Sequence, residues 1–171
     1  MRILVRVGLA MLVHVTIAGA QPRVVVADRG PGASGRILSD VLENRHQLVE
    51  PGADTVWFVL GRHQQVRGSL VVLGRTAAIE GQVDQDVVVV GGDLFVRPEA
   101  HISGRGIAIG GGVYPSTLAI VEGGIRSFRD NTFDITRSPD GYLLTYRSLY
   151  ADGTPPLVFP GVYGLRAPSY D

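Results

Sequence analysis

Two short glycine phrases alternate between Thr55 and Ile125, and this alternation limits the possible folds more than any other feature of the chain. One phrase is an apolar pair, then glycine, then arginine or glycine: Val59-Leu60-Gly61-Arg62, Val72-Leu73-Gly74-Arg75, Val89-Val90-Gly91-Gly92 and Ala108-Ile109-Gly110-Gly111. The other is valine or isoleucine, any residue, then glycine: Val66-Arg67-Gly68, Ile79-Glu80-Gly81, Ile102-Ser103-Gly104 and Val121-Glu122-Gly123. The first set of glycines steps by 13, 17 and 19 residues, the second by 13, 23 and 19, and the last two units superpose at an offset of 19.

A rung of a parallel β-helix, a few short strands joined by tight corners, needs about this much chain. Glycine fits the corners because it enters positive φ without a Cβ penalty. One coil cannot bury its own apolar face, so at least about three must stack. The spacing therefore predicts an all-β fold: a short parallel β-helix of about four coils over residues 55–125. Val72, Ile79, Val88, Val90, Leu94, Ile102, Ile109 and Val121 are expected to point inward. An antiparallel sandwich or meander also uses short strands and glycine turns. Against it, Asn-Gly and Asp-Gly are missing from this region and the phrases repeat in one orientation.

The flanks read differently. Residues 21–54 form a lead-in in which Ile37, Leu38, Val41 and Leu42 recur at helical spacing, predicting one short helix. Within residues 126–150, Asn131 to Thr136 and Tyr142 to Tyr146 read as strands about the turn Ser138-Pro139-Asp140-Gly141. This hairpin, with Phe133, Ile135, Leu143 and Tyr146 as its apolar face, is expected to cap the C-terminal end of the solenoid. The short helix is expected to cap the N-terminal end, since open solenoid ends need covering. Residues 151–171, with Pro155, Pro156, Pro160 and Pro168, read as an extended tail.

The first twenty residues read as a secretory signal. Arg2 and Arg6 precede an apolar run from Val7 to Ile17, and Ala18-Gly19-Ala20 supplies small residues for cleavage. The run is too short to span a bilayer, which takes about 20 apolar residues. The chain is therefore expected to be exported, to the periplasm, the outer membrane or the cell surface. Removing the signal takes two of the 16 basic residues and none of the 16 acidic ones, leaving 14 against 16, a net of −2. Such a balance argues against nucleic acid, whose binders carry a basic excess. Cysteine is absent, so neither disulfides nor thiolate chemistry are available.

The run Leu70-Val71-Val72-Leu73-Gly74 through Gly81, then Asp86-Val87-Val88-Val89-Val90-Gly91-Gly92-Asp93-Leu94 through Gly104, resembles the bactofilins. The resemblance covers roughly residues 56 to 125. It implies a right-handed parallel β-helix that polymerises end to end without nucleotide. The stretch from Gly161 to Asp171 also looks like a lead into the first strand of an outer-membrane β-barrel. The function expected is thus a structural module that self-associates or heads a larger outer-membrane or surface assembly.

Candidate chemistry is sparse. Gly104-Arg105-Gly106 and Gly110-Gly111-Gly112 lead into Val113-Tyr114-Pro115, whereas a dinucleotide loop must lead into a helix. Corner glycines account for them, and no nucleotide or other cofactor is expected. His101, Ser103 and His63 lack a Gly-x-Ser-x-Gly elbow, and an exposed β-helix surface accounts for them. Asp84, Asp86 and Asp93 are the alternative. On adjacent coils they would hold Ca²⁺ or form an acid/base pair that acts on or binds polysaccharide, with the carboxylates about 5–10 Å apart. Asp also favours turns by bonding its own backbone. Trp57, Phe58 and Tyr114 are expected to fill the core. No catalytic or metal-ligating residue is assigned, and the chain is expected not to be an enzyme.

Overall fold

The structure is a computed structural model describing residues 22–53 and 55–150. The expected signal and the proline-rich tail lie outside those residues. A parallel β-solenoid of about four turns occupies the middle, with three strands to a turn. Its three walls are three parallel sheets.

The first wall, the covered sheet, runs β2 (His46–Val49), β5 (Ser69–Leu73), β8 (Val87–Val90), β11 (Gly106–Ile109), β14 (Ile125–Phe128). The second, the open sheet, runs β3 (Trp57–Leu60), β6 (Thr76–Ile79), β9 (Leu94–Val96), β12 (Val113–Pro115). The third, the narrow sheet, stacks the two-residue strands β4 (Gln65–Val66), β7 (Gln82–Val83), β10 (His101–Ile102) and β13 (Ile120–Val121). Every pairing between turns is parallel, which settles the choice against a sandwich or meander.

The solenoid starts earlier than residue 55, because β2 pairs with β5 in register His46↔Ser69. The covered sheet therefore repeats at steps of 23, 17, 19 and 19 residues. Only three members of each glycine phrase are true repeats. Gly74, Gly91 and Gly110 stack at the corner leaving the covered sheet, with φ of +63°, +74° and +81°. Gly61 instead follows β3, at another corner, where Leu60 pairs with Ile79. Gly68, Gly104 and Gly123 likewise share the corner entering the covered sheet, while Gly81 follows β6 in the open sheet. The apparent fourfold alternation mixes two registers.

Two further elements flank the solenoid. β1 (Arg23–Asp28) pairs in parallel with β16 (Gly141–Ser148), which pairs antiparallel with β15 (Asn131–Ser138). The helix α1 (Ala33–Glu43) and this three-stranded sheet pack on the outer face of the covered sheet. Ile37, Leu38, Val41, Phe133, Tyr142 and Leu144 meet Val71, Leu73, Val88, Val90, Ile107 and Ile109 there. The hairpin and helix form where expected, but they lie along the flank rather than over the ends. Leu143 is correspondingly not on the packed face. It pairs with Val25 on the far side, and Leu144 takes the inner place.

This arrangement corrects part of the expected core. Val72, Ile79, Leu94, Ile102 and Val121 point into the solenoid lumen, whereas Val88, Val90 and Ile109 point out, into the flank. The lumen positions of β8 are Val87 and Val89. A sheet covered on both faces carries apolar residues throughout and loses the alternation that reveals direction.

Candidate functional site

Asp84, Asp86 and Asp93 do not form one cluster: Asp84 and Asp86 line the same depression, without Asp93. Asp86 lies at the corner entering the covered sheet. It accepts the backbone N–H of Arg105 at 2.7 Å and pairs with the Arg105 guanidinium, Nη2 to Oδ2 at 2.6 Å. That hydrogen bond, opposed by partial burial, holds the Arg105 pKa above its ordinary value. Asp93 lies at the opposite edge of the covered sheet and accepts the N–H of Gly112 at 2.7 Å. Asp84 accepts from Gln65 Nε2 at 2.8 Å. Each of these carboxylates binds a group on a neighbouring turn, the role Asp takes at corners, extended here from its own backbone to the next rung. Among the described residues no group of three His, Cys, Asp or Glu could hold a metal ion.

His101 stands on the outer face of the narrow sheet with Nε2 2.7 Å from Glu122 Oε1, and its partner is thus a carboxylate rather than Ser103. Ser103 lines a shallow depression with Asp40, Asp84, Asp86 and Arg105. No hydrogen bond links either histidine to a serine among the described residues. Gly104 and Gly106 lead into β11, and Gly110 and Gly111 lead into β12, so neither glycine run opens a helix.

Two of the three aromatic residues depart from their expected role in the core. Phe58 packs against the lumen core, but Trp57 is 49% exposed and Tyr114 is 43% exposed. Both project from the outer face of the open sheet, which no element covers among the described residues. Phe95 joins them there. Its ring centroid is 5.0 Å from that of Tyr114, stacked, and 5.5 Å from that of Trp57. The intervening turn contributes Ala78 in register with Phe95, small enough for the indole to reach across it. Under these rings Ala78 is only 3% exposed. Arg97 lies 5.7 Å from the Phe95 centroid, and Arg129 lies 5.8 Å from that of Tyr114 while donating to its hydroxyl at 3.2 Å. Sequence spacing concealed this row, because Trp57 and Tyr114 lie 57 residues apart and Phe95 sits in an otherwise buried strand.

The C-terminal end of the solenoid is the second exposed feature. Among the described residues β14 pairs only with β11, and it stands one strand beyond β12 and β13. Ile125 occupies a lumen-facing register with Gly106 and Val87, yet it is 48% exposed because no further turn covers it. Among the described residues no helix is long and apolar enough to cross a membrane. Comparison of the chain with protein-family models, curated proteins and solved structures gives no match.

Proposed function

We propose that the chain is a bactofilin-like assembly module of the bacterial cell envelope, exported and non-catalytic, that associates through the open end of its solenoid. The observation that carries this reading is Ile125, a core residue by register on which nothing stacks among the described residues. Beside it, β14 has one hydrogen-bonded neighbour, so among the described residues the backbone N–H and C=O groups on its other edge lack a strand partner. An unpaired strand edge is a template for another strand, and natural proteins that stay monomeric blunt it or cover it. Among the described residues the helix and the hairpin sit on the flank instead. A second copy adding a strand to β14 would bury Ile125 and extend the parallel ladder. Asp84 and Asp86 share a depression, but each is already held by a neighbouring turn, Asp84 by Gln65 and Asp86 by Arg105. That favours a corner-tying role over the free acid/base pair that polysaccharide cleavage needs.

The test is light scattering and negative-stain microscopy on the chain expressed for export, beside Ile125→Arg. The parent should form oligomers or filaments, and the variant should be monomeric with an unchanged circular dichroism spectrum. A parent that stays monomeric at about 100 μM, far above the affinity of a specific interface, would reject the proposal.

A further inference from the structure

We infer that the outer face of the open sheet binds an acidic, carboxylate-bearing polysaccharide along the row Trp57–Phe95–Tyr114. The inference is independent of assembly through β14, since it rests on a different wall of the solenoid.

The row is held rigidly. Phe95 has the Tyr114 ring stacked on it and the Trp57 ring close by, and Ala78, in register with Phe95, is buried. Each arginine lies against one of these rings, which fixes the plane of its guanidinium and reduces the freedom lost on binding. Among the described residues neither Arg97 nor Arg129 has a carboxylate within 4.0 Å, unlike Arg62, Arg105 and Arg147. Two oriented and uncompensated cations on an exposed apolar row ask for an anionic partner. A planar guanidinium matches a carboxylate in charge and in shape.

The form of the face selects a linear polymer. Arg97 lies against the Phe95 ring of β9 and Arg129 against the Tyr114 ring of β12, adjacent turns about 5 Å apart at the usual strand spacing, so the two cations follow one another along the solenoid axis. The face is one wall of the solenoid, and the depressions against α1, Arg105 and Tyr142 lie away from it. An extended chain can therefore lie along the row, with acidic groups at the guanidiniums and C–H surface against the ring edges. Nucleic acid binding draws on many phosphate contacts and a broad basic field. A chain with 16 acidic against 16 basic residues supplies no such field. A lipid surface is matched less well, because the rings are packed against one another rather than splayed for insertion.

Trp57 is the single tryptophan of the chain, so its fluorescence reports on this row alone. The full exported chain is titrated with polygalacturonate, dextran, single-stranded DNA and phosphatidylglycerol vesicles, following Trp57 emission and heat of binding. Polygalacturonate should give a saturable emission change that weakens at high salt. The variant Arg97→Gln/Arg129→Gln should weaken binding at least tenfold with the dichroism spectrum intact. Dextran should give no change. The inference is overturned by equal binding of dextran, by tighter binding of DNA or vesicles, or by no response to polygalacturonate. It also fails if heat is released without an emission change, or if the double variant binds within twofold of the parent.

Discussion

Val88 and Val89 are neighbours in β8, both 0% exposed, and they belong to different hydrophobic cores. Val89 faces the lumen beside Val72 and Ala108, while Val88 faces the flank beside Val71 and Ile107. Two cores back to back on one sheet make the solenoid and its flank a single cooperative unit. Val88→Asp and Val89→Asp should each cost several kcal/mol, since each buries a charge with no partner. Val90→Asp should do the same from the flank side. Urea titration checks this. A flank variant that melts the flank alone, leaving the solenoid signal in place, would show the two cores to be separable.

How far this was legible from sequence varies by element. The parallel solenoid and its length come from the glycine phrases, because a repeated corner leaves a repeated glycine. The direction of Val88, Val90 and Ile109 does not, because Val87 to Val90 is apolar at every position and parity has nothing to mark it. The flank position of the hairpin was hidden for the same reason. Its partner surface looked like lumen, and so the ends were the only place left for Phe133 and Ile135. The aromatic row needed knowledge of which residues share a rung, and Trp57 stands two residues out of register with Phe95 and Tyr114.

Tyr142 donates its hydroxyl proton to Glu50 at 2.5 Å, joining the hairpin to the loop after β2 across 92 positions of sequence. The bond to Glu50, helped by burial, raises the Tyr142 pKa above its ordinary value of 10.0. The folded state thus holds this proton more tightly than the unfolded chain does. The associated stability is complete below about pH 10 and falls as pH rises from there through the folded-state pKa. Tyr142→Phe should cost about 1 kcal/mol at neutral pH, because Glu50 can rehydrate at the surface. It should also flatten the alkaline loss of stability. Parent and variant curves that stay parallel up to about pH 11, a unit above the ordinary tyrosine value, would contradict the role given to this bond.

Asp86 serves two donors at once, the Arg105 backbone N–H and its guanidinium. Asp86→Ala should cost about 1–3 kcal/mol, toward the lower part of that range because the guanidinium is one-third exposed and rehydrates. Asp86→Asn keeps an acceptor for the backbone N–H and should lose less than half as much. His101→Ala and Ser103→Ala should stay within about 0.5 kcal/mol of the parent, as exposed positions do. Equal losses for Asp86→Asn and Asp86→Ala would place the whole effect in the charge.

The corners make opposite demands at Gly91 and Glu99. Gly91 has φ +74°, and a Cβ there would have room, with Gly74 Cα at 3.8 Å. The cost of Gly91→Ala is therefore conformational, about 1–2 kcal/mol. Gly92→Ala should cost more despite an ordinary φ, because its Cβ would run into the Arg75 carbonyl. Glu99 is the one non-glycine residue with positive φ among the described residues, at +68°. It ends the turn after β9, and its side chain makes no ion pair there among the described residues. Glu99→Gly relieves about 1–2 kcal/mol of left-handed strain and gives back about 0.5–1 kcal/mol in unfolded-chain entropy. A small net gain, visible as a rise in the denaturation midpoint, is the expected result. A midpoint that falls would mean that the Glu99 side chain stabilises its corner by more than the strain it imposes.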